Sequence, residues 1–306
     1  MERIGFIGLG VMGKSMAGHI LAAGHPLVVY TRTREKAEEL LARGAVWAES
    51  PAALARSCQV VITIVGFPEE VEQVVLGDDG VVASMQPGTI LVDMTTSRPD
   101  LAVRISEAAA ERGGQALDAP VSGGDRGARE AALSIMVGGS RDAYEQVLPI
   151  LQLMGQRIVY QGPAGSGQHC KMCNQIAVAG NMLGVCEALA YACHTGLDPQ
   201  VVLESISAGA AGSWAMTHLV PRMLAGDFAP GFFVKHFIKD MAMAADAAAD
   251  LGLDLPGLQL VLCRYRQLAE LGYEDDGTQA LYRLYQAEGQ EIPWRADRSV
   301  RPEDPQ

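Results

Sequence analysis

Gly8-Leu9-Gly10-Val11-Met12-Gly13 joins an apolar run, Arg3–Gly10, to an apolar-periodic stretch, Met12–Ala23. Read as strand, turn and helix, this junction restricts the fold more tightly than anything else in the chain. The first glycine permits the tight turn. The second lets a ligand approach the backbone, and the third lets helix and strand pack closely. The helix start adds free N–H groups and partial positive charge. The junction therefore predicts a βαβ unit that cradles a dinucleotide pyrophosphate.

The rest of the first half continues that alternation. Pro26–Arg32, Val60–Val65, Thr89–Met94, Ala116–Ala119, Ser134–Val137 and Arg157–Tyr160 read as strands. Arg34–Arg43, Pro99–Glu111 and Asp142–Met154 read as helices. Ser50-Pro51 reads as an N-cap with proline in the first turn, opening a short helix to Ser57. Strands separated by helices predict an α/β fold with a doubly wound, mostly parallel sheet, a Rossmann domain. After Gly162 strand signals nearly vanish. Helices are expected over Gly167–His194, Pro199–Ser207, Trp214–Leu224, Phe233–Leu251, Leu258–Leu271 and Thr278–Gln286. The expected organisation is a Rossmann domain at 1–163, an all-α domain at 164–290, and a charged, proline-bearing tail at 291–306.

Charge narrows the partners. With 24 basic and 36 acidic residues the net charge is −12, which argues against nucleic acid or a polybasic membrane contact. A small anionic substrate stays compatible, since a local basic site can sit inside an acidic protein. The apolar stretch Met172–Cys193 contains Asn174, Gln175, Asn181 and Glu187, so a helix buried on most sides fits better than a membrane span. Six cysteines in a chain of 306 residues read as reduced thiols in a cytoplasm. Cys170-x-x-Cys173 has no second pair at zinc spacing, and no metal site is expected.

Three further segments have chemical content. The second strand ends Tyr30-Thr31-Arg32-Thr33-Arg34, with no acid before Glu35 to meet a ribose 2′-hydroxyl. Arg32 offers a planar cation and Thr33 a hydroxyl for a 2′-phosphate, so NADP(H) is expected over NAD(H). Lys171 opens the long apolar helix, and no other charge follows it before Glu187. Either its head lies in solvent, or it is buried with a partner or a task in proton transfer. Asn174 lies one turn on, on the same helix face. Asp118-Ala-Pro-Val-Ser-Gly-Gly124 ends a strand, and there the Ser122 hydroxyl and the Gly123 and Gly124 amides can meet an anion.

Taken together, Gly8–Ala17 (GLGVMGKSMA), Asp118–Gly124 (DAPVSGG), Gly165–Gln175 (GSGQHCKMCNQ) and Lys239-Asp240-Met241 resemble the β-hydroxyacid dehydrogenase family, over roughly residues 3–288. The resemblance implies a Rossmann domain followed by a helical domain that dimerises through its long helix. It implies Lys171 as the catalytic group. Ser122, Gly123 and Gly124 are then the substrate carboxylate site, with Asn174 beside it. Cofactor contacts are implied at Gly8, Gly10, Val11, Met12, Gly13, Val65, Thr96 and Lys239, besides Arg32 and Thr33. Some relatives carry two asparagines where this chain has Asn174-Gln175.

The expected activity is hydride transfer between NADP(H) and a small 3-hydroxy acid or semialdehyde, by a cytoplasmic homodimer or homotetramer. The alternatives are an imine or ketone reductase of the same fold and a non-catalytic NADP-binding assembly module. An intact Lys171, Asn174 and Ser122 speak against the module, and Lys171 speaks against imine reduction, since relatives that reduce imines usually lack the lysine.

Overall fold

The computed structural model describes residues 2–286. The expected tail at 291–306 and the expected end of the helical domain at 290 lie outside the described residues. Nine strands form one sheet: β1 (Ile4–Ile7), β2 (Leu27–Tyr30), β3 (Val46–Trp47), β4 (Val60–Thr63), β5 (Ile90–Asp93), β6 (Gln115–Asp118), β7 (Val121–Ser122), β8 (Leu133–Gly139) and β9 (Gly155–Gly162). The first six run parallel in the order β3-β2-β1-β4-β5-β6. β8 is antiparallel to β6 and β7 and parallel to β9.

Both faces of the parallel part are covered, which is why its strands read as unbroken apolar runs. Ile4, Phe6, Val29, Ile62, Val92 and Leu117 pack on one face with Met16 and Ile20. Ile7, Val28, Val61 and Leu91 pack on the other with Val71, Val75, Leu101 and Ile105. Register aligns Ile7, Thr63, Asp93 and Asp118 across the carboxyl ends of β1, β4, β5 and β6. Ligand sites of open α/β sheets lie at this edge.

The chain packs as two compact units, residues 2–175 with 242–253, and residues 176–241 with 254–286. The helix Ser166–His194 begins in the first and continues into the second. It is long and apolar enough to cross a membrane, with a mean hydropathy of 1.5. Eleven of its 29 residues are nevertheless buried, Gln168, Lys171 and Gln175 among them. Apart from the bridge Phe233–Gly277, the second unit is helical among the described residues. Its core holds Phe237 edge-on against Tyr265 at 5.0 Å, and the Tyr265 hydroxyl donates to Thr278 O at 2.8 Å.

Several elements differ from the sequence reading. Arg34–Arg43 is a 3₁₀ turn, Arg34–Ala37, followed by a short helix, Glu38–Ala42. Trp214–Leu224 divides into Trp214–His218 and Val220–Ala225, with Pro221 in the first turn of the second piece. Pro221 has no N–H to donate to the carbonyl four residues back, so the helical hydrogen-bond ladder is interrupted here. Thr278–Tyr285 is 3₁₀ rather than α. The helix Pro68–Leu76, with its first-turn proline and Glu69 and Glu70, was not expected, nor were the two-residue strands β3 and β7.

Candidate active site

The glycine loop follows β1, and each of its glycines answers a separate demand. Gly8 has φ +97°, and a Cβ there would collide with the Ile64 carbonyl oxygen. A Cβ on Gly13 would collide with the Gly8 carbonyl oxygen and approach Ile64 Cγ2 to 2.9 Å. These two positions are closed by the protein itself. Gly10 has nothing within 4 Å, and no side chain caps the helix Gly13–Ala22. An open glycine before uncapped helix amides, with Val11 55% exposed and Met12 at the N-cap, fits a dinucleotide pyrophosphate.

Val65 flanks this loop, its Cγ1 3.4 Å from a Cβ placed on Gly8. Its N–H donates to Thr95 Oγ1 at 3.0 Å. Behind it, Asp93 is buried and accepts from Thr63 Oγ1 at 2.8 Å and from the Thr95 N–H at 3.1 Å. Burial pushes the Asp93 carboxyl up to about 6, against the opposing pull of the Thr95 and Thr63 hydrogen bonds. The nearby Asp118 adds to the upward shift.

Arg32 and Thr33 follow β2 and are exposed. Arg32 is 2.6 Å from Glu70 Oε1, and Glu70 Oε2 accepts from the Gly66 N–H at 2.8 Å. The acid absent from the end of β2 in sequence is thus present in space, brought by the helix Pro68–Leu76. Sequence reading missed it because the two residues are 38 positions apart.

Lys171 is buried, 6% exposed, and its Nζ donates to the Val121 carbonyl at 2.8 Å. The solvent-facing alternative for its head is therefore set aside. Val121 directly precedes Ser122, Gly123 and Gly124, so the structure brings the lysine to the serine–glycine turn across 50 residues of chain. Gly123 and Gly124 have φ +132° and +62°, which favour glycine and turn the chain sharply beyond β7. Ser122 is half-buried, in register with Ser134 of β8. Asn174 Nδ2 donates to Gln175 Oε1 at 2.6 Å. Cys170 is half-buried, and burial, then the nearby Cys173, pushes its thiol up, which disfavours a nucleophilic thiolate.

Two buried groups around the lysine were not singled out from sequence. The Asp118 carboxylate accepts from the Gly165 and Gln168 N–H groups, each at 2.8 Å, and so fills the start of the lysine helix. Burial still leaves its pKa raised, because these backbone bonds offset the loss of water only in part. Gln168 bonds the backbone on both sides of Thr96: Nε2 to Thr95 O at 2.8 Å, and Ser97 N to Oε1 at 2.9 Å. Lys239 belongs to the second unit, where its Nζ pairs with Asp240 Oδ1 at 3.2 Å on the helix Val234–Asp250.

Known proteins resemble both halves of the chain. Residues 3–162 match the NAD binding domain of 6-phosphogluconate dehydrogenase. Residues 165–285 match the NAD-binding domain of NADP-dependent 3-hydroxyisobutyrate dehydrogenase. The "Uncharacterized oxidoreductase YkwC" of Bacillus subtilis (strain 168) is 57% identical over 284 residues, covering 93% of this chain and 99% of its own. The "Probable 3-hydroxyisobutyrate dehydrogenase-like 1, mitochondrial" of Arabidopsis thaliana is 45% identical over 280 residues, 91% of this chain and 84% of its own. Among solved structures, Mycobacterium tuberculosis 3-hydroxyisobutyrate dehydrogenase with L-serine superposes with a TM-score of 0.86 at 30% identity, covering 94% of this chain and 100% of its own. With its mostly parallel dinucleotide-binding sheet, its helical second half and these relatives, the chain belongs to the β-hydroxyacid dehydrogenase family of NAD(P)-binding oxidoreductases.

Proposed function

We propose that this oxidoreductase transfers hydride reversibly between NADP(H) and a small 3-hydroxy acid or its semialdehyde, with Lys171 as general acid and base. The observation that carries this reading is the buried Lys171 Nζ, held 2.8 Å from the carbonyl of the residue before Ser122. An ammonium fixed beside a serine–glycine turn can serve both ends of such a substrate. In reduction Lys171 Nζ hydrogen-bonds the substrate carbonyl oxygen and gives it a proton as charge develops. In oxidation the neutral amine takes the hydroxyl proton. When bound, the nicotinamide supplies or accepts the hydride. Ser122 and the Gly123 and Gly124 amides hold the carboxylate and so fix the reacting carbon. Asn174 orients the substrate from one turn along the helix. The L-serine in the name of the Mycobacterium tuberculosis structure is itself a 3-hydroxy acid, which supports the substrate class.

For the cofactor, Arg32 and Thr33 at the end of β2 support NADP(H), as does the NADP-dependent family whose model matches residues 165–285. Thr96 and Lys239 are the proposed further contacts. Glu70 opposes a 2′-phosphate by occupying one side of the Arg32 guanidinium. NADH is expected to serve less well, and kcat/KM with NADH equal to or above that with NADPH would refute the preference.

The long helix supports a homodimer or homotetramer. Ala177, Gly180, Gly184, Ala188 and Tyr191 lie exposed along it, and nothing lies within 4 Å of a Cβ built on either glycine. A monomer by light scattering at micromolar concentration would count against this assembly. Free thiols at all six cysteines fit the reducing cytoplasm proposed for it.

The test of activity is NADPH oxidation with glyoxylate, succinic, tartronate and methylmalonate semialdehydes, an uncharged aldehyde and a cyclic imine. Turnover confined to the carboxylates is expected. Preference for the uncharged compounds would replace this reading with an imine or ketone reductase. Lys171→Ala is expected to lose roughly 10²–10⁴-fold in kcat while still binding NADPH. Full activity in that variant would remove the lysine from the mechanism.

A further inference from the structure

Gln168 is fully buried and lies one helical turn before Lys171. At a spacing of three residues the two side chains share a helix face. Its side-chain amide makes two bonds, both to backbone: Nε2 donates to Thr95 O at 2.8 Å, and Oε1 accepts from Ser97 N at 2.9 Å. These groups bracket Thr96, a contact proposed above for the cofactor. The Gln168 N–H in turn donates to Asp118 Oδ2, and Asp118 lies three residues before Val121, which holds the lysine. Direct bonds therefore run from the loop after β5, through Gln168, to the turn of helix that positions Lys171. A neutral amide is suited to this place, since one planar group offers a donor and an acceptor together without burying a charge.

We propose that Gln168 is a positioning residue for hydride transfer. Its amide fixes the Thr96 backbone, on the cofactor side of the reaction, relative to Lys171, on the proton side. The reasoning rests on the function proposed above. A displacement of about 1 Å between reacting groups is enough to lose roughly 100-fold in rate.

Gln168→Met removes both bonds without adding charge. It is expected to lower kcat roughly 30–100-fold while changing the Kd for NADPH, read by fluorescence, less than about 3-fold. Amide hydrogen exchange, an independent readout, should speed up at residues 95–97 and remain unchanged in β1 and β4. Gln168→Glu sharpens the test. As a carboxylate it sets a second acceptor against Thr95 O, while the protonated acid restores one donor and one acceptor. Its kcat relative to wild type is therefore expected to recover as pH falls from 8 to 5.5, a recovery Gln168→Met cannot show. Asp93, Asp118 and Lys171 are charged groups of the same network, and the wild-type profile in the same buffers removes their titration.

Wild-type kcat in Gln168→Met, or a lowered Tm with kcat and exchange at residues 95–97 unchanged, would overturn the proposal. If Gln168→Glu does not fold, Gln168→Met decides alone. Should wild type turn over none of the panel, the proposed function fails, and unchanged exchange in Gln168→Met would then overturn the brace separately.

Discussion

Two of the helices that begin at the carboxyl edge of this sheet use their N-termini in opposite ways. At Gly13–Ala22 no side chain caps the end, and the space beside Gly10 is open. At Ser166–His194 the Asp118 carboxylate occupies the end and accepts two amides, a role like that of a phosphate at a glycine loop. The first end is free to bind an anion from outside. The second has its anion built in, so it anchors the helix that carries Lys171. One physical device, unsatisfied amides with partial positive charge, serves binding in one place and positioning in the other.

Asp118→Ala is the harshest way to break this comparison. It strands two buried helix amides, at about 1–3 kcal/mol each, so urea unfolding should report a loss of several kcal/mol. Loss of less than about 1 kcal/mol would show that the closed end is not an anchor.

Asp93, beside Asp118, supplies a pH test of the same buried polar edge. Its carboxyl moves from 3.8 to about 6 on folding, so the native state binds more protons between those values. Its contribution to stability is present below pH 4 and is lost as pH rises through about 6. Asp93→Asn lacks this titration. Its stability relative to wild type should rise between pH 4 and 7.5, on the order of 1–3 kcal/mol. A difference flat with pH would refute the assignment.

The open end is separated from closed glycine positions by a pair of variants. Gly10→Ala should leave Tm nearly unchanged and weaken NADPH binding roughly 10-fold, because the methyl enters space the pyrophosphate requires. Gly13→Ala should lower Tm as well, since its Cβ meets the Gly8 carbonyl. Equal effects on Tm would show that Gly10 is not reserved for a ligand.

The smallest effect is expected at the rim. Arg32 is largely exposed, so its pairing with Glu70 is screened by solvent. Glu70→Gln should raise the NADPH over NADH preference only about 2–5-fold, and less at high salt. A change in the opposite direction would make Glu70 a contact for the 2′-phosphate side rather than its competitor.

How much of this was legible in sequence follows the range of each interaction. The Ser50 N-cap and the helix Pro99–Glu111 depend on contacts within a few residues, and the structure has them as read. The glycine loop is as read from its local spacing, although Gly8 and Gly13 also meet Ile64, just after β4. The parallel strands were visible because burial on both faces requires continuous apolar runs. The break at Pro221 and the Pro68–Leu76 helix also left local signals, in proline and first-turn acids, that the reading passed over. The family's catalytic segment marked Lys171, and residue type with spacing marked Ser122 and Asn174. Gln168 lies in the same segment, but neither its residue type nor its spacing gave it a role of its own.

The sequence by itself determined the α/β alternation, the dinucleotide loop and the residue types at the proposed reaction site, because helix period, strand burial and the spacing of the loop glycines are written within a few positions. Only the tertiary structure decided which buried groups meet. Lys171 reaches Val121 across 50 residues and Gln168 reaches Thr95 across 73. Arg32 meets Glu70 for the same reason. Such pairs are set by which strand ends and helix starts the fold brings together, with Thr95 after β5, Val121 in β7 and Arg32 after β2. A hydrogen bond made there satisfies a group that burial would otherwise leave without a partner.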